Sequence, residues 1–358
     1  MRNVSNVHVI SITPLCPPEE LVRELPLTSE ISESVSSARE TVAAILEKRD
    51  PRLLAVVGPC SIHDPAAALE YARRLAELRR ELEDRLFIVM RVYFEKPRTT
   101  IGWKGLINDP DLDGSYNVEK GLRKARKILL DINELGVPAG SEVLDPIIPQ
   151  YIADLLSWVS IGARTSESQT HRELASGLSM PVGFKNSTDG NVQIAVDAIL
   201  AARWPHHFLG IDLQGRTCVV ATRGNPHCHV ILRGGYNGPN YDPVSVINTE
   251  EAMRRESLDP RIMIDCSHAN SGKKPHLQAH VLRDVVQQKI EGSDSIFGFM
   301  LESNLKEGNQ KLTSRPENLE YGLSITDPCI SWETTERLLR ETHDKLAACG
   351  GCATRHRS

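Results

Sequence analysis

Four residues far apart in the chain, Cys60, His268, Glu302 and Asp327, offer a thiolate, an imidazole and two carboxylates. Together they would form a mixed sulfur, nitrogen and oxygen ligand set. Such a set suits a borderline divalent transition metal (Mn, Fe, Co or Zn) and is wrong for Ca or Mg. Their spacing is not local, so a buried structural cysteine and a satisfied core histidine are competing readings. A second group, Arg91, Lys96, Arg98, Arg164, Lys185 and Arg233, is cationic throughout, in a chain whose net charge is −5. Like charges gathered in one place repel unless anions neutralise them, and arginine forks bind phosphate and carboxylate at two points. More than one anionic ligand group is implied. For any single member, an ordinary surface or helix-pairing cation is the alternative.

The pattern around these residues says how they could meet. The apolar run 53–57 reads as a buried strand, Gly58-Pro59 stops it, Cys60 follows, and a helical pattern starts at Pro65. The same unit recurs, with strands expected at 53–57, 86–94, 138–143, 158–163, 182–185, 229–232, 261–265 and 296–301. Helices are expected near 65–83, 118–134, 148–156, 168–177, 191–202, 243–256, 276–290 and 331–347. Eight such units over about 300 residues predict an α/β fold, a (β/α)8 TIM barrel. A doubly wound sheet is the alternative, but it rarely needs eight regular units. In TIM barrels the chemistry sits where strands end. Cys60, Arg91 with Lys96 and Arg98, Glu142, Arg164, Lys185, Arg233, Asp265 with His268, and Glu302 all fall at or just past those ends, and Asp327 lies in the next loop.

Two pieces fall outside the repeat. Residues 1–50 form an N-terminal extension to the barrel of 51–358: 7–12 alternates like a short strand, and 19–25 and 34–48 read as helices. The extension is expected to pack on the barrel or on another subunit. Between the fifth helix and sixth strand, about 206–224 alternates on both sides of Gln214-Gly215, which predicts an inserted β-hairpin.

Other features narrow the function. The acidic balance gives no support to nucleic-acid binding, and no apolar run approaches a membrane span. The start of the chain lacks the apolar core of a secretory signal, so a cytoplasmic protein is expected. The eight cysteines are scattered, which fits reduced thiols better than a disulfide framework. Cys349 and Cys352 form a CxxC in a polar tail with no second pair, and are read as incidental. Asp109 to Gly114 imitates a calcium loop, but position twelve is Lys120 and no entering helix precedes it. Arg73-Arg74 and Arg79-Arg80 share a helix with Glu70, Glu77, Glu81 and Glu83, which is an ion-paired solvated face.

Seven motifs in order, Gly58-Pro59-Cys60-Ser61, Lys96-Pro97-Arg98-Thr99-Thr100, Gly162-Ala163-Arg164-Thr165, Gly183-Phe184-Lys185-Asn186, Ile231-Leu232-Arg233-Gly234-Gly235, Asp265-Cys266-Ser267-His268-Ala269-Asn270 and Glu302-Ser303-Asn304, resemble the type I 3-deoxy-D-arabino-heptulosonate 7-phosphate synthases. The resemblance spans essentially the whole chain, within the branch that has an N-terminal extension and an inserted hairpin. Only Cys266, where phenylalanine is more usual, departs from it. It implies condensation of phosphoenolpyruvate with erythrose 4-phosphate, the opening reaction of the shikimate pathway. It further implies Cys60, His268, Glu302 and Asp327 as metal ligands, and Arg91, Lys96, Arg164, Lys185 and Arg233 around phosphoenolpyruvate, with Glu142 and Asp265 in the same substrate shell. Arg98 and Thr99 fall to erythrose 4-phosphate. Lys96, among other cations, is expected to have a depressed pKa and to pass a proton to the forming alkoxide, with His268 the second catalytic group.

The resemblance also implies feedback inhibition by an aromatic amino acid, tyrosine being favoured. The implied inhibitor site comprises Phe208 and Gly210 of the hairpin, Pro149 and Gln150, Leu178 and Ser179, and Asn6 and Val7 of a neighbouring subunit. A homotetramer of two tight dimers is implied as well. The rival readings are a metal-dependent phospho-sugar aldolase, which would not need so large a cation shell, and a non-catalytic metabolite sensor, against which the intact ligand set and Lys96 argue.

Overall fold

In the computed structural model, residues 4–98, 101–313 and 315–350 are described. Thr99 and Cys352 therefore lie outside the described residues. Eight strands close a parallel barrel in the order β1-β10-β9-β8-β5-β4-β3-β2. These are β1 (Leu53–Gly58), β2 (Leu86–Arg91), β3 (Ala139–Glu142), β4 (Trp158–Ile161), β5 (Val182–Lys185), β8 (Cys228–Leu232), β9 (Ile262–Asp265) and β10 (Ile296–Glu302). The expected hairpin stands apart from the barrel as an antiparallel pair, β6 (His207–Ile211) and β7 (Thr217–Ala221). Asp212 shapes its turn by accepting from the backbone of Gln214 and Arg216.

The strands are apolar on both faces because both faces are covered. Ala55 and Val57 of β1 join the shell between strands and outer helices. Leu54 and Val56 point the other way, into a barrel interior shared with Phe87, Val89, Trp158, Ile231, Met263 and Met300. The side-chain period of two therefore alternates shell and interior along each strand. Continued to the carboxyl ends, the interior register carries Arg91, Lys185, Asp265 and Glu302 toward the mouth.

The N-terminal extension contributes α1 (Pro18–Glu24) and α2 (Ser29–Leu46), the latter capped by the Thr28 side chain. Ala38, Val42, Ile45 and Leu46 of α2 belong to the same apolar cluster as the barrel interior. Arg261, just ahead of β9, donates to the Ile45 carbonyl at 2.7 Å. Helix α2 therefore closes the barrel at the amino-terminal ends of its strands. Arg39 of α2 also donates to the carbonyls of Ala153 and Leu156.

Three local expectations change. The helix expected over 34–48 spans Ser29–Leu46, its start set by the Thr28 cap. Residues 7–12 are not a strand: they pair with no other strand among the described residues, and Ile10 and Ile12 are exposed. Alternation shows that two faces differ, but a strand also needs a partner edge. Strand two ends at Arg91 rather than Phe94. The chain then leaves the sheet in a long loop that places Lys96 over the mouth.

Deep in the barrel, His229 accepts a hydrogen bond from Trp158 Nε1 at 3.3 Å and meets the Phe297 ring edge-on, while its Nδ1 has no partner. Burial, with Arg261 adding, lowers its pKa from 6.5 to about 3. Below pH 6.5 the unfolded chain takes up a proton that the native His229 refuses, so stability is lost as pH falls from 6.5 toward 3. Near pH 4 that loss is about 3 kcal/mol. Replacing His229 with Phe is expected to remove this part of the acid slope, after a pH-independent cost for the stranded indole N–H. Denaturant unfolding at pH 7 and pH 4 measures it; an unchanged slope would reject the assignment.

Candidate active site

Gly58 ends β1 with φ 147°, and a Cβ there would sit 2.9 Å from the Arg91 carbonyl oxygen. Only glycine lets the two strand ends approach so closely. The chain then turns Cys60 inward, fully buried. Glu302 pairs in register with Gly58 at the end of β10. Its backbone is held from both sides by Gln278, which donates to the Glu302 carbonyl at 3.0 Å and accepts from its N–H at 2.9 Å. Asp327 arrives because Ile330 N donates back to the Glu302 carbonyl, and because Ser61 and Thr326, neighbours of Cys60 and Asp327, are hydrogen-bonded at 2.7 Å.

As a result, Sγ of Cys60 and carboxylate oxygens of Glu302 and Asp327 lie within 4.8 Å of one another. His268 stands beside this group, with Nε2 3.8 Å from Glu302 Oε1. Its other nitrogen is held by Asp265 at 2.9 Å and by the Ser267 hydroxyl at 2.7 Å, a carboxylate–histidine arrangement typical of metal-binding imidazoles. A thiol, an imidazole and two carboxylates converging from three strand ends and a loop fit a divalent transition metal.

The cations interleave with these acids. Arg91, wholly buried, pairs with Glu302 at 3.1 Å and stacks over Tyr93 at 4.0 Å. Lys185 pairs with Asp265 at 3.2 Å. Lys96 Nζ lies 3.1 Å from Cys60 Sγ and 3.3 Å from its carbonyl. Burial would by itself neutralise such groups, yet His268, Arg91 and Lys96 hold Glu302 down at about 2, and His268 and Lys185 hold Asp265 well below the carboxylate range. Arg233 is half-buried, its pKa lowered by burial and by Arg164 against the pull of Asp265. Glu142 is buried at the end of β3 against Gly162, where a Cβ would come within 2.6 Å of its carboxylate, and its Oε1 has no hydrogen-bond partner.

Two expectations need correction. Lys96 is not depressed. Burial does oppose its charge, but Cys60, Glu302, Glu142 and Asp327 outweigh that and raise its pKa. Counting only the cations near it left out the acids from four other segments. Arg98 is exposed, its Nε engaged by the Trp103 carbonyl at 2.8 Å, and Arg164 is exposed as well, so both stand at the rim rather than with the buried Arg91 and Lys185.

The sequence reading also missed Tyr93 and Glu95. They continue the alternation Arg91, Tyr93, Glu95, and that period of two was the available signal. Glu95 is pushed up to about 8 by burial, with Asp145 and Glu142 adding. Nothing local to Gln278 announces its hold on Glu302.

On the far side of the loop after β3 lies a cavity of about 410 Å³. Pro149, Gln150, Leu178, Ser179, Phe208 and Gly210 all line it. Asn6 and Val7 do not; both are exposed on the N-terminal segment.

A closed parallel barrel, with its acids and buried cations gathered at the carboxyl ends of the strands, defines a (β/α)8-barrel enzyme. The family model described as "DAHP synthetase I family" matches residues 30–340. The chain is 53% identical over 343 residues to the Tyr-sensitive phospho-2-dehydro-3-deoxyheptonate aldolase of Escherichia coli K12, covering 96% of each. It is 54% identical over 346 residues to the Phe-sensitive enzyme of the same organism, covering 97% of this chain and 98% of that one. A solved structure of the corresponding aldolase from Francisella tularensis superposes with a TM-score of 0.92 at 50% identity, covering 94% of this chain and 98% of that one. The chain belongs to the DAHP synthetase I family.

Proposed function

We propose that the protein condenses phosphoenolpyruvate with D-erythrose 4-phosphate and water to give 3-deoxy-D-arabino-heptulosonate 7-phosphate and phosphate, the first step of chorismate and aromatic amino acid biosynthesis. One observation carries the site assignment: a thiol–carboxylate set with an imidazole beside it, the buried cations Arg91 and Lys185, and the half-buried Lys96 share a single barrel mouth. Cys60, His268, Glu302 and Asp327 would hold the divalent metal, which when bound supplies a Lewis acid for the aldehyde oxygen.

The remaining roles belong to the chain. Arg91, Arg164, Lys185 and Arg233 match the phosphate and carboxylate of phosphoenolpyruvate. Arg98, at the rim, is assigned together with Thr99 to the phosphate of the second substrate. Lys96 stays charged and donates a hydrogen bond to the oxygen that becomes an alkoxide. Asp265 orients both Lys185 and His268, and Glu142 offers a buried acceptor beside them. Loss of phosphoenolpyruvate should require erythrose 4-phosphate, stop in EDTA, and return with Mn, Fe, Co or Zn. Turnover that persists in EDTA, or that does not need the aldose phosphate, would overturn the assignment.

The cavity beside the hairpin is read as the inhibitor site, with tyrosine the favoured ligand. It is lined mainly by apolar side chains with Gln150, Thr170, Ser179 and Thr217 as polar groups, the balance expected for an aromatic amino acid. A Cβ at Gly210 would come within 2.8 Å of Val220 Cγ2, so a side chain there would displace Val220, which also lines the cavity, whereas glycine leaves room for a phenol hydroxyl. Tyrosine should therefore inhibit at lower concentration than phenylalanine or tryptophan; inhibition curves for the three decide it, and a lower midpoint for phenylalanine rejects tyrosine. The exposed apolar residues Val7, Val9, Ile10 and Ile12 support an N-terminal segment that packs on a neighbouring subunit, bringing Asn6 and Val7 to that subunit's cavity in a tetramer of two tight dimers. Among the described residues no helix is long and apolar enough to cross a membrane. Cys16, Cys60, Cys218, Cys228, Cys266, Cys329 and Cys349 are free thiols, which supports a cytoplasmic setting.

A further inference from the structure

The sheet ladder of β8 stops at Leu232, one residue before Arg233. Beyond that point the backbone could wander, and with it the guanidinium. It does not, because side-chain amides take over from the ladder. Asn270 Nδ2 donates to the Leu232 carbonyl at 3.1 Å. Asn186 Oδ1 accepts the Arg233 N–H at 2.8 Å, and its Nδ2 donates to the Gly234 carbonyl at 2.9 Å. Asn240 Oδ1 accepts the Gly234 N–H at 2.7 Å. The Arg233 carbonyl alone is met by backbone, the Ala269 N–H at 3.2 Å.

Asn240 also bonds the other two amides, one through its side chain and one through its backbone. Asn240 Nδ2 donates to Asn186 Oδ1 at 3.2 Å, and Asn240 N donates to Asn270 Oδ1 at 2.8 Å. With a further bond from its Nδ2 to the Ser187 carbonyl at 2.9 Å, Asn186 uses both donor hydrogens and both acceptor positions, the full capacity of an amide. Such a network has little freedom to rearrange without leaving a buried polar group unpaired, which costs more than the bond itself contributes. Asn270 carries the same frame to the Asp265 carbonyl at 2.9 Å. Gly234 turns sharply at φ 75°, where a Cβ would fall 2.7 Å from that of Ala269.

We infer that Asn186, Asn240 and Asn270 form an amide clamp that positions Arg233 for phosphoenolpyruvate, with Asn240 the residue that completes it. The inference rests on the substrate reading above for Arg233. Asn240 is a positioning residue: it bonds the backbone at Gly234 and the other two amides, and acts through Arg233.

The test uses the full-length enzyme with metal. Asn240→Ala should raise the KM for phosphoenolpyruvate about tenfold, the scale of one lost hydrogen bond, and leave the KM for erythrose 4-phosphate within twofold (about the measurement error). In an Arg233→Ala background the same change should add less than about twofold, because the clamp then has nothing to position. Hydrogen exchange gives a readout that does not depend on the substrate: the Gly234 amide, deprived of its acceptor, should exchange about tenfold faster. Unchanged exchange, equal rises in both KM values, or full additivity with Arg233→Ala overturns the clamp. If Arg233→Ala itself leaves the phosphoenolpyruvate KM unaltered, the substrate reading fails, and the exchange result alone judges the clamp. Asn240→Ser provides the same readouts should the alanine protein not fold.

Discussion

Cys60→Ala should yield a folded barrel that binds its metal more than about 100-fold more weakly, since losing even an outer-sphere support costs about 10–100-fold. Catalysis should fall by at least three orders of magnitude, the scale of several kcal/mol supplied by a Lewis acid. Cys60 is fully buried, and the substitution removes one sulfur atom, so the structural cost is of the order of 1 kcal/mol. Arg91, Lys185 and Arg233 keep their own partners in Glu302, Asp265 and the Asn186 amide. Phosphoenolpyruvate should therefore still bind. Metal content after dialysis, ligand binding by calorimetry and turnover separate these effects. A variant with near-normal turnover and metal content would remove Cys60 from the ligand set and restore the plain reading of a core thiol.

Arg91→Met addresses the most buried ion pair of the molecule's mouth. Arg91 and Glu302 expose 0% and 2% of their side chains, and Glu302 sits at about 2 with Arg91 as one of its supports. Removing one partner of such a pair strands the other charge, at about 3–5 kcal/mol. The loss should be largest in metal-free enzyme, where only His268, Lys96 and Lys185 remain to balance Glu302 and Asp265. Metal-saturated enzyme should lose less, because a bound cation restores the charge balance. Glu302 stability is present above its unfolded pKa of 4.5 and fades as pH falls toward about 2, so the variant's penalty should shrink at acid pH. Denaturant unfolding with chelator and with excess metal, at pH 7 and pH 4, tests this. An equal penalty under all conditions would mean that lost packing on Tyr93, and not the stranded carboxylate, is responsible.

Much of the architecture was legible because a parallel barrel writes the same phrase eight times. Each apolar run bounded by a break became a strand, and Cys60, Glu142, Lys185, Arg233, Asp265 and Glu302 stand at those ends as the spacing required. What eluded the sequence involved partners from elsewhere. Residues 7–12 alternate like a strand but have no edge to join. Lys96 was judged from the cations in its own class, while its environment is set by acids from other loops. The apolar stripe of α2 announced burial without saying that its partner is the barrel interior. Asn240 sits in a Gly- and Asn-rich loop that reads as an ordinary turn, and only the folded chain shows what it holds.

The helix that stops the amino-terminal end of the barrel makes the site a blind well. Arg91 and Lys185 lie at the bottom, and Arg98 stands at the lip. The ligand that uses the deep cations must descend before the one that uses the lip, or find its path shut. If phosphoenolpyruvate uses the deep cations and the aldose phosphate the lip, as proposed, the shape predicts that phosphoenolpyruvate binds first.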